Sequence, residues 1–156
     1  MLTEQEKAYV AGFLDGDGCI MFQLVRRKDY IFGYQVRASI VFYQKTINKS
    51  ILTWLKSKLK YGYIRDRNDG MTEYTIVGKN QVMNILHILY PYLRLKRPHA
   101  KAAFKIEKKW PGKFNPKNLL AIGRIVDTFK ELNYSKRRKN TTLTIERFLA
   151  KSPRND

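Results

Sequence analysis

The sequence predicts an α+β fold in which a four-stranded antiparallel sheet carries helices on one face. Three observations favour this fold: a helical pattern at the N-terminus, two pairs of short alternating segments separated by turns, and a helical pattern after each pair. Together they predict an αββαββα core with extra C-terminal helices. The 156 residues suit one domain. We place this single domain at residues 1–150 and expect residues 151–156 to be a disordered tail.

The first helix is predicted from a capping box, because Thr3 is followed three residues later by Glu6. One face of this helix carries small and aromatic residues: Ala8, Tyr9, Gly12, Phe13 and Gly16. Small residues that recur every fourth position allow a second helix to approach closely. This face is therefore a candidate contact between two helices.

The predicted helix stops at the segment Asp15-Gly16-Asp17-Gly18, which holds two carboxylates. Carboxylates at the end of a tightly packed helix suit a hard divalent cation. A glycine-rich C-cap with solvated aspartates is the commoner explanation of such a helix end. The composition of this segment leaves both interpretations open.

Alternation of apolar and polar residues predicts four strands, at 19–26, 34–43, 61–67 and 71–77. In the second strand, one face suits packing beneath helices: Val36, Ala38, Ile40 and Phe42. The opposite face is more polar: Gln35, Arg37, Ser39 and Val41. Amide and guanidinium groups on that face can read the edges of bases, although the solvated face of any antiparallel sheet shows the same pattern.

Helical periodicity predicts the remaining helices, at 44–60, 79–89, 99–109, 115–132 and, after a cap at Thr141 or Thr142, up to residue 149. Between the last two helices lies a basic cluster: Ser135, Lys136, Arg137, Arg138 and Lys139. A loop of this kind is predicted to contact phosphates. A solvated run of charge is the alternative.

An excess of positive charge is the strongest compositional signal. Lysine and arginine number 31 against 13 acidic residues, which gives a net charge of +18. So large a charge on one domain predicts a polyanionic partner, with a membrane surface or ribosomal packing as competitors. No apolar run approaches the ~20 residues of a membrane span, and we expect no membrane partner. The single cysteine, Cys19, excludes an internal disulfide and a cysteine-based zinc site.

The segment Val10–Gly18, with the sequence VAGFLDGDG, carries a resemblance to a known family. It resembles the signature motif of the LAGLIDADG homing endonucleases at every position, by identity or conservative exchange, and the similarity extends from Glu6 to Leu149. The resemblance is to the single-motif, homodimeric, intron-encoded members. It implies a saddle-shaped sheet over double-stranded DNA, a long pseudo-palindromic site, and hydrolysis of one phosphodiester per strand to leave short 3′ overhangs.

The resemblance also implies roles for the motif residues. Asp17 is expected to bind divalent metal, the backbone carbonyl of Gly16 to share in coordination, and Asp15 to be structural. One such aspartate per chain is too few for cutting both strands, whereas two chains joined through the motif helix bring two copies of Asp17 together. Mg²⁺ is the implied cofactor, with Mn²⁺ expected to substitute and Ca²⁺ to bind without supporting cleavage. We expect no other small-molecule cofactor.

Two further segments match the homodimeric members of the family. Gln44-Lys45-Thr46 implies that Gln44 positions water near the metal. The segment YLRLK at 92–96 implies that Lys96 stabilises charge or activates solvent. The sequence departs from the family pattern four positions after the glutamine, where Asn48 replaces the expected basic residue. Either Lys49 takes over by a small shift or Asn48 serves through ordered solvent, and we favour Lys49.

The resemblance, together with strand alternation, implies a DNA-facing set of residues: Cys19, Met21, Gln23, Val25, Arg27, Asp29, Tyr30, Gln35, Arg37, Ser39, Arg65, Arg67, Glu73 and Thr75. Among these, arginines suit bidentate contact with guanine and glutamines with adenine. The basic loop is expected to add DNA contacts through four residues: Ser135, Lys136, Arg138 and Lys139.

Two alternative functions would use the same fold. One is an RNA maturase for intron splicing, and the other is a DNA-binding module that does not cut. The presence of Asp17, Gln44 and Lys96 argues against both. An organelle, chloroplast or mitochondrion, is the compartment that the resemblance implies, because the N-terminus lacks the features of a signal or transit peptide and translation inside the organelle would need none.

Overall fold

The computed structural model describes residues 1–135 and 138–151. Its strands are β1 (Gly18–Arg26), β2 (Tyr34–Lys45), β3 (Tyr63–Asp66) and β4 (Met71–Val77). Its helices are α1 (Glu4–Asp17), α2 (Ser50–Leu59), α3 (Lys79–Leu89), α4 (Arg97–Lys109), α5 (Pro116–Asp127), α6 (Phe129–Leu132) and α7 (Thr142–Lys151). The predictions made for Lys136, Arg137 and the tail at 152–156 lie outside the described residues.

The four strands form one sheet in the order β1-β2-β4-β3. β2 pairs antiparallel with β4 over Ser39–Lys45, and β3 pairs antiparallel with β4 over Tyr63–Asp66. β2 and β4 are therefore the central strands. The prediction of an α+β fold with a four-stranded antiparallel sheet and additional C-terminal helices is confirmed.

The alternation read from the sequence corresponds to alternating burial in β1 and at the start of β2, whereas Ser39 and Val41 of the predicted outer face are buried as well. In β1 the buried side chains are Ile20, Phe22 and Leu24. In β2 the predicted inner face is buried at all four positions: Val36, Ala38, Ile40 and Phe42. The strands thus place their apolar sides in a core, because successive side chains of a strand point to opposite faces.

The junction of α1 and β1 differs from the prediction of a helix that stops in an acidic turn. α1 continues through Asp17, and β1 begins at the next residue, Gly18, whose φ of −118° and ψ of 175° are extended. A Cβ atom at Gly18 would lie 2.6 Å from Leu14 Cδ1 and 2.8 Å from Leu14 O. Glycine is needed here for this close approach, and the chain passes from helix to strand with no intervening turn.

The helix predicted from residue 44 begins later than expected. Gln44 and Lys45 are the last residues of β2 and pair with β4. A short 3₁₀ helix follows at Thr46–Asn48, and α2 begins at Ser50. Thr46 N donates to Gly70 O at 2.8 Å, which prolongs the contact with the β3–β4 turn. Pairing with a strand distant in sequence therefore overrides the local helical pattern.

The C-terminal helices also differ in their boundaries. α4 begins at Arg97, two residues before the predicted start, because a proline is tolerated in the first turn of a helix. The helix predicted at 115–132 is divided into α5 and α6 at Thr128. Thr128 Oγ1 donates to Ile125 O at 2.6 Å, a side-chain contact that competes with the helical backbone pattern.

Two compact units are distinguished in the chain. The first comprises Met1–Ile20 and Ala38–Ala100. Its core contains a run of aromatic rings in which the centroid of Phe42 lies 5.8 Å from that of Phe13 and 5.8 Å from that of Tyr74. Aromatic pairs at these distances add to the free energy gained from area burial.

The second unit comprises Met21–Arg37 and the chain from Lys101 onward. Its core includes Phe22, whose ring centroid lies 5.2 Å from that of Phe129. The hairpin between β1 and β2 is held by Arg26, whose guanidinium lies 4.4 Å from the ring centroid of Phe148 and donates to Gly33 O at 2.7 Å. The arginine thus anchors the hairpin through both stacking and hydrogen bonding.

Candidate active site and nucleic-acid interface

The small-residue face of α1 is open. Ala8, Gly12 and Gly16 are exposed, and Tyr9 is 51% exposed. A Cβ atom built on either glycine would meet no heavy atom of the described residues within 4 Å. Phe13 is half-buried, because its ring packs between Tyr9 and the core of its own unit. This face has the room for a second helix that its spacing predicted.

Asp15 forms the most extensive side-chain contact at the end of α1. Its carboxylate accepts hydrogen bonds from three successive backbone N–H groups, those of Arg94 at 2.7 Å, Leu95 at 3.1 Å and Lys96 at 2.9 Å. Hydrogen bonds to a charged acceptor are stronger than those to a neutral one. Asp15 therefore holds the segment that carries Lys96, which agrees with the structural role implied for it.

Lys96 is tied to the same helix end by its side chain. Its Nζ donates to the backbone carbonyl of Asp15 at 2.7 Å. A cation is favoured at this place, since the C-terminus of a helix carries partial negative charge. The Lys96 ammonium group is therefore fixed against the last turn of α1. The sequence predicted Lys96 as a site residue but not its contact with Asp15. The backbone N–H groups that precede α4 need acceptors, and this need was the one indication of such a contact.

Asp17 is the last residue of α1, and its side chain is exposed. The final four carbonyls of a helix lack the usual intrahelical donors, and here Gly18 N donates to Leu14 O while Lys96 Nζ donates to Asp15 O. The carbonyl oxygen of Gly16 and the Asp17 carboxylate are thus oxygen donors at one helix end. Hard cations such as Mg²⁺ prefer such donors.

A single chain supplies few metal ligands. Within residues 1–135 and 138–151, no group of three or more histidine, cysteine, aspartate or glutamate side chains could hold a metal ion. Mg²⁺ requires six ligands in near-octahedral geometry and takes some of them from water and from substrate phosphates. The donor set at Asp17 fits a divalent metal in its chemistry and needs further ligands from outside the chain.

The expected catalytic residues after β2 lie in a polar network. Lys49 Nζ lies 3.0 Å from Asp66 Oδ2, and Thr72 Oγ1 donates to Asp66 Oδ1 at 2.8 Å. Thr72 Oγ1 also lies 2.8 Å from Thr46 Oγ1. Hydrogen bonds from Lys49 and Thr72 hold the pKa of the Asp66 carboxyl below its usual value. Asp66 was not singled out from the sequence, and it fixes where the Lys49 ammonium lies.

The two other candidates beside this network differ in their contacts. Asn48 is exposed at the end of the 3₁₀ helix. Gln44 is half-buried at the end of β2, and its Oε1 accepts from Lys45 N at 2.9 Å. That bond leaves the Nε2 of Gln44 as the group able to donate to solvent or substrate.

The predicted DNA-facing side of β1 is accessible. Cys19, Met21 and Val25 are half-buried, and Gln23 is exposed. In β2, Gln35 and Arg37 are half-buried, and the hairpin before them exposes three further predicted residues: Arg27, Asp29 and Tyr30. The sheet thus presents polar and apolar groups together on the side opposite its core.

Ser39 and Thr75 are the two buried members of the predicted DNA-facing set. Ser39 is 3% exposed and Thr75 is 7% exposed. Both lie on the central strands, where neighbours on two sides cover short side chains. Tyr43 lies further along the same face of β2. The pKa of its hydroxyl is raised, first by burial and then by the negative charges of Cys19 and Glu73.

The arginines predicted to read guanine are paired with acids of the same chain. Arg65 forms an ion pair with Glu73, its partner across the β3–β4 ladder, and Arg67 pairs with Asp69 at 2.6 Å. The Arg65 side chain is 65% exposed, whereas that of Glu73 is 14% exposed. The pair of Arg67 and Asp69 is exposed on both sides and contributes little to stability, so Arg67 can exchange partners at small cost, whereas the more buried Glu73 holds Arg65 more firmly.

Three residues of the basic cluster lie within the described part of the chain: Ser135, Arg138 and Lys139. Arg138 Nη1 donates to Phe22 O at 2.9 Å, and Arg138 is half-buried. This bond holds Arg138 to β1, and the DNA contact expected of Arg138 stays a prediction. Lys139 is exposed and Ser135 is half-buried.

No helix in the described part of the chain is long and apolar enough to cross a lipid bilayer.

Comparison with known proteins identifies the family. The LAGLIDADG endonuclease family matches residues 10–99. DNA endonuclease I-CvuI of Chlorella vulgaris is 41% identical over 131 residues, 84% of this chain and 81% of that protein. DNA endonuclease I-CreI of Chlamydomonas reinhardtii is 34% identical over 142 residues, 90% of this chain and 86% of that protein.

Solved structures agree with the sequence comparison. The crystal structure of the homing endonuclease I-CvuI in complex with its target, in the presence of calcium, superposes with a TM-score of 0.89 at 38% identity and covers 94% of each chain. A second crystal structure of I-CvuI, in complex with the I-CreI target in the presence of magnesium, gives a TM-score of 0.90. Motif, fold and relatives agree, and the chain belongs to the LAGLIDADG endonuclease family.

Proposed function

We propose that this DNA endonuclease acts as a homodimer that recognises a long pseudo-palindromic site in double-stranded DNA and hydrolyses one phosphodiester in each strand. The products are expected to have short 3′ overhangs. The observation that carries the proposal is the geometry of α1: an open small-residue face ends directly in an exposed Asp17. The solved DNA complexes of I-CvuI, at 38% identity, support the choice of DNA as the partner.

Dimerisation follows from the same helix. Gly12 and Gly16 lie on the open face, where the described residues leave the space beside each glycine unfilled. Packing this face against its symmetry mate would bury the half-exposed ring of Tyr9 and bring two copies of Asp17 together. A two-fold axis also meets the requirement of a duplex, because each copy then faces one strand of a pseudo-palindromic site.

The metal site is proposed at Asp17 and the carbonyl oxygen of Gly16. Both are oxygen donors, which suits Mg²⁺, with Mn²⁺ as a substitute and Ca²⁺ as an ion that binds without supporting cleavage. A bound divalent ion would supply stabilisation of negative charge on the scissile phosphate and a lowered pKa of bound water. The remaining ligands would come from the second copy of the chain, from DNA phosphates and from water.

Three further side chains are proposed to have complementary roles in cleavage. The Lys96 ammonium, held at the Asp15 carbonyl, is positioned to stabilise charge that develops on the phosphate. Gln44 is proposed to orient water through its Nε2 group. The family pattern places a basic residue where this chain has Asn48, and Lys49 is proposed to supply that basic group. The Asp66 carboxylate restrains the Lys49 ammonium at a distance of 3.0 Å.

The outer face of the sheet is proposed as the recognition surface, in the form of a saddle over the major groove. Gln23 and Gln35 supply amide groups for adenine, and Arg65 and Arg67 supply guanidinium groups for guanine. To contact bases, the two arginines must leave their acidic partners, and these acids then accept from cytosine or remain solvated. This exchange gives selectivity, because a wrong base leaves a charged group without a partner.

The direct test is cleavage of a randomised duplex library in the presence of Mg²⁺, with the wild type beside Asp17→Asn. The wild type is expected to cut a defined site in both strands, and Asp17→Asn is expected to bind that site without cutting. A matched control is Glu131→Gln, which removes an exposed carboxylate from α6, outside the candidate site residues, and should retain cleavage at Mg²⁺ saturation. Normal cutting by Asp17→Asn would show that the metal site has been assigned to the wrong residue.

The same assay separates the alternatives. A non-cutting DNA-binding module would bind a defined site and leave both strands intact with Mg²⁺. An RNA maturase would promote splicing of its intron, and Asp17→Asn would leave that splicing unchanged. The presence of Asp17, Gln44 and Lys96 in the sequence favours the nuclease.

An organellar origin is part of the proposal. The two relatives come from Chlorella vulgaris and Chlamydomonas reinhardtii. The resemblance to intron-encoded members of the family leads us to propose that the gene lies within an organellar intron. Sequencing the DNA that flanks the gene tests it. Flanking sequence that belongs to an intron of a chloroplast or mitochondrial gene would support the proposal. A position in the nuclear genome would refute it.

A further inference from the structure

A large aromatic cavity lies in the second unit, and the residues that line it do not include those of the proposed active site. Its volume is about 850 Å³, within the ~300–1,000 Å³ typical of ligand-binding sites. Five aromatic side chains line it: Tyr30, Phe32, Tyr34, Trp110 and Phe114. We call it the aromatic cavity.

The walls of the aromatic cavity come from two segments. One is the β1–β2 hairpin with the start of β2, and the other is the loop between α4 and α5. Tyr34 and Val36 line it from the face of β2 that packs toward the helices, opposite the face proposed to read duplex DNA. Most of the lining therefore lies outside the recognition surface, which the cavity meets at Tyr30 and Gln35.

The rings in the loop wall suit stacking. Trp110 and Phe114 lie with ring centroids 5.2 Å apart and planes at 86°. Both are half-buried, and Tyr30 is 41% exposed. Rings that are fixed by packing and still partly accessible can accept a planar aromatic ligand at low entropic cost.

Positive charge is concentrated around the same loop. Lys113 lines the cavity and is exposed, and Lys109 and Lys117 adjoin lining residues in the sequence and are exposed as well. From residue 97 to residue 126 the chain has one acidic residue, Glu107, and eight basic ones: Arg97, Lys101, Lys105, Lys108, Lys109, Lys113, Lys117 and Arg124. A planar ligand that carries negative charge matches this surface.

We propose that the aromatic cavity binds unpaired bases of a single-stranded nucleic acid. Bases stack on Trp110, Phe114 and Tyr30, while Lys113 and the neighbouring lysines contact the phosphates. Aromatic platforms beside a basic groove are the general solution for single strands, because every base has a stacking face. In a duplex the bases are already stacked and paired, so this cavity selects single strands.

Fluorescence of Trp110 provides the test. The chain has two tryptophans, so Trp54→Phe leaves Trp110 as the sole reporter. This protein is titrated with a short oligothymidylate, with an oligouridylate of equal length, and with a blunt duplex of unrelated sequence. Quenching by a single strand at lower concentration than by the duplex is expected, and comparison of the two single strands identifies DNA or RNA as the preferred source. Equal quenching by the duplex, or no quenching by either single strand, overturns the proposal.

Variants in the same background test the named contacts. Phe114→Leu keeps the apolar volume but removes the ring, and it is expected to weaken single-strand binding about tenfold. Tyr134→Ala removes a tyrosine that is 91% exposed and does not line the cavity, so it should have no effect. Equal losses in the two variants, or none in Phe114→Leu, contradict the stacking model.

The contribution of charge has its own readout. Lys113→Gln should reduce the slope of log affinity against log salt by roughly 0.7, the value for one phosphate contact on a single strand. Lys130→Gln, at an exposed lysine outside the cavity, should leave the slope unchanged. Unchanged slopes for both variants contradict the phosphate contact. These measurements report binding alone, so they remain decisive if the proposed cleavage activity fails.

Discussion

The contact between Asp15 and the segment before α4 should control both stability and catalysis, and Asp15→Ala is the change that removes it. The carboxylate accepts three backbone N–H groups, of which those of Arg94 and Leu95 are exposed and that of Lys96 is half-buried. A hydrogen bond to a charged group contributes roughly 1.5–3 kcal/mol. Water can replace the two exposed bonds, so we count the bond from Lys96 and expect a loss of about 2 kcal/mol in the free energy of unfolding.

Urea denaturation followed by circular dichroism measures this loss. The midpoint should fall while the slope of free energy against urea stays the same, because the surface exposed on unfolding is unchanged. Asp29→Ala is the control, since Asp29 is exposed in the hairpin, and its effect should stay within about 0.5 kcal/mol. Asp15→Asn keeps an oxygen acceptor without the charge, and its stability should lie between those of Asp15→Ala and the wild type.

Cleavage by the folded Asp15→Ala variant separates positioning from stability. Lys96 Nζ loses the fixed segment that holds it 2.7 Å from the Asp15 carbonyl, so the single-turnover rate should fall at temperatures where the variant is fully folded. Metal binding at Asp17 should persist, because the Asp15 side chain is not a ligand in the proposed metal site. Wild-type values of both the urea midpoint and the cleavage rate would refute the reasoning.

Three further predictions follow from α1 and its surroundings. Gly12→Leu fills the open helix face, so dimer mass in sedimentation and DNA cleavage should be lost together; a variant that still dimerises and cuts would break that link. Gly18→Ala should lower the free energy of unfolding by about 1–3 kcal/mol, measured by urea denaturation, because its Cβ overlaps the backbone of Leu14. Lys49→Gln should slow single-turnover cleavage about tenfold or more, whereas Asn48→Ala should change it little; the reverse order would assign the role to Asn48.

Local sequence patterns were sufficient for most of the secondary structure. The capping box of Thr3 and Glu6 is present as predicted. Alternation correctly separated buried from accessible side chains in β1 and in the first half of β2, because a strand has a strict period of two, but Ser39 and Val41 of the predicted outer face are buried on a central strand. The open face of α1 was likewise predictable, since small residues at every fourth position fall on one side of any helix.

Features that depend on distant contacts could not be read from the sequence. Gln44 and Lys45 follow a helical pattern but extend β2, because β4 offers a pairing edge that a local window does not include. Asp15 accepts from residues 79 to 81 positions later in the chain. The pairing of Lys49 with Asp66 likewise joins residues 17 positions apart. In each case the partner became apparent only when the topology of the fold was known.

The same helix therefore sets the positions of both the proposed metal ligand and the proposed catalytic cation. Asp17 is the last residue of α1, and Lys96 is held by the carbonyl and carboxylate of Asp15, two residues earlier. A movement of α1 would carry both groups together, so their mutual geometry should already exist before dimerisation. In the proposed dimer the second copy would add another Asp17 beside the first. Dimerisation is thus expected to complete the metal site, whereas the position of Lys96 is set within each protomer.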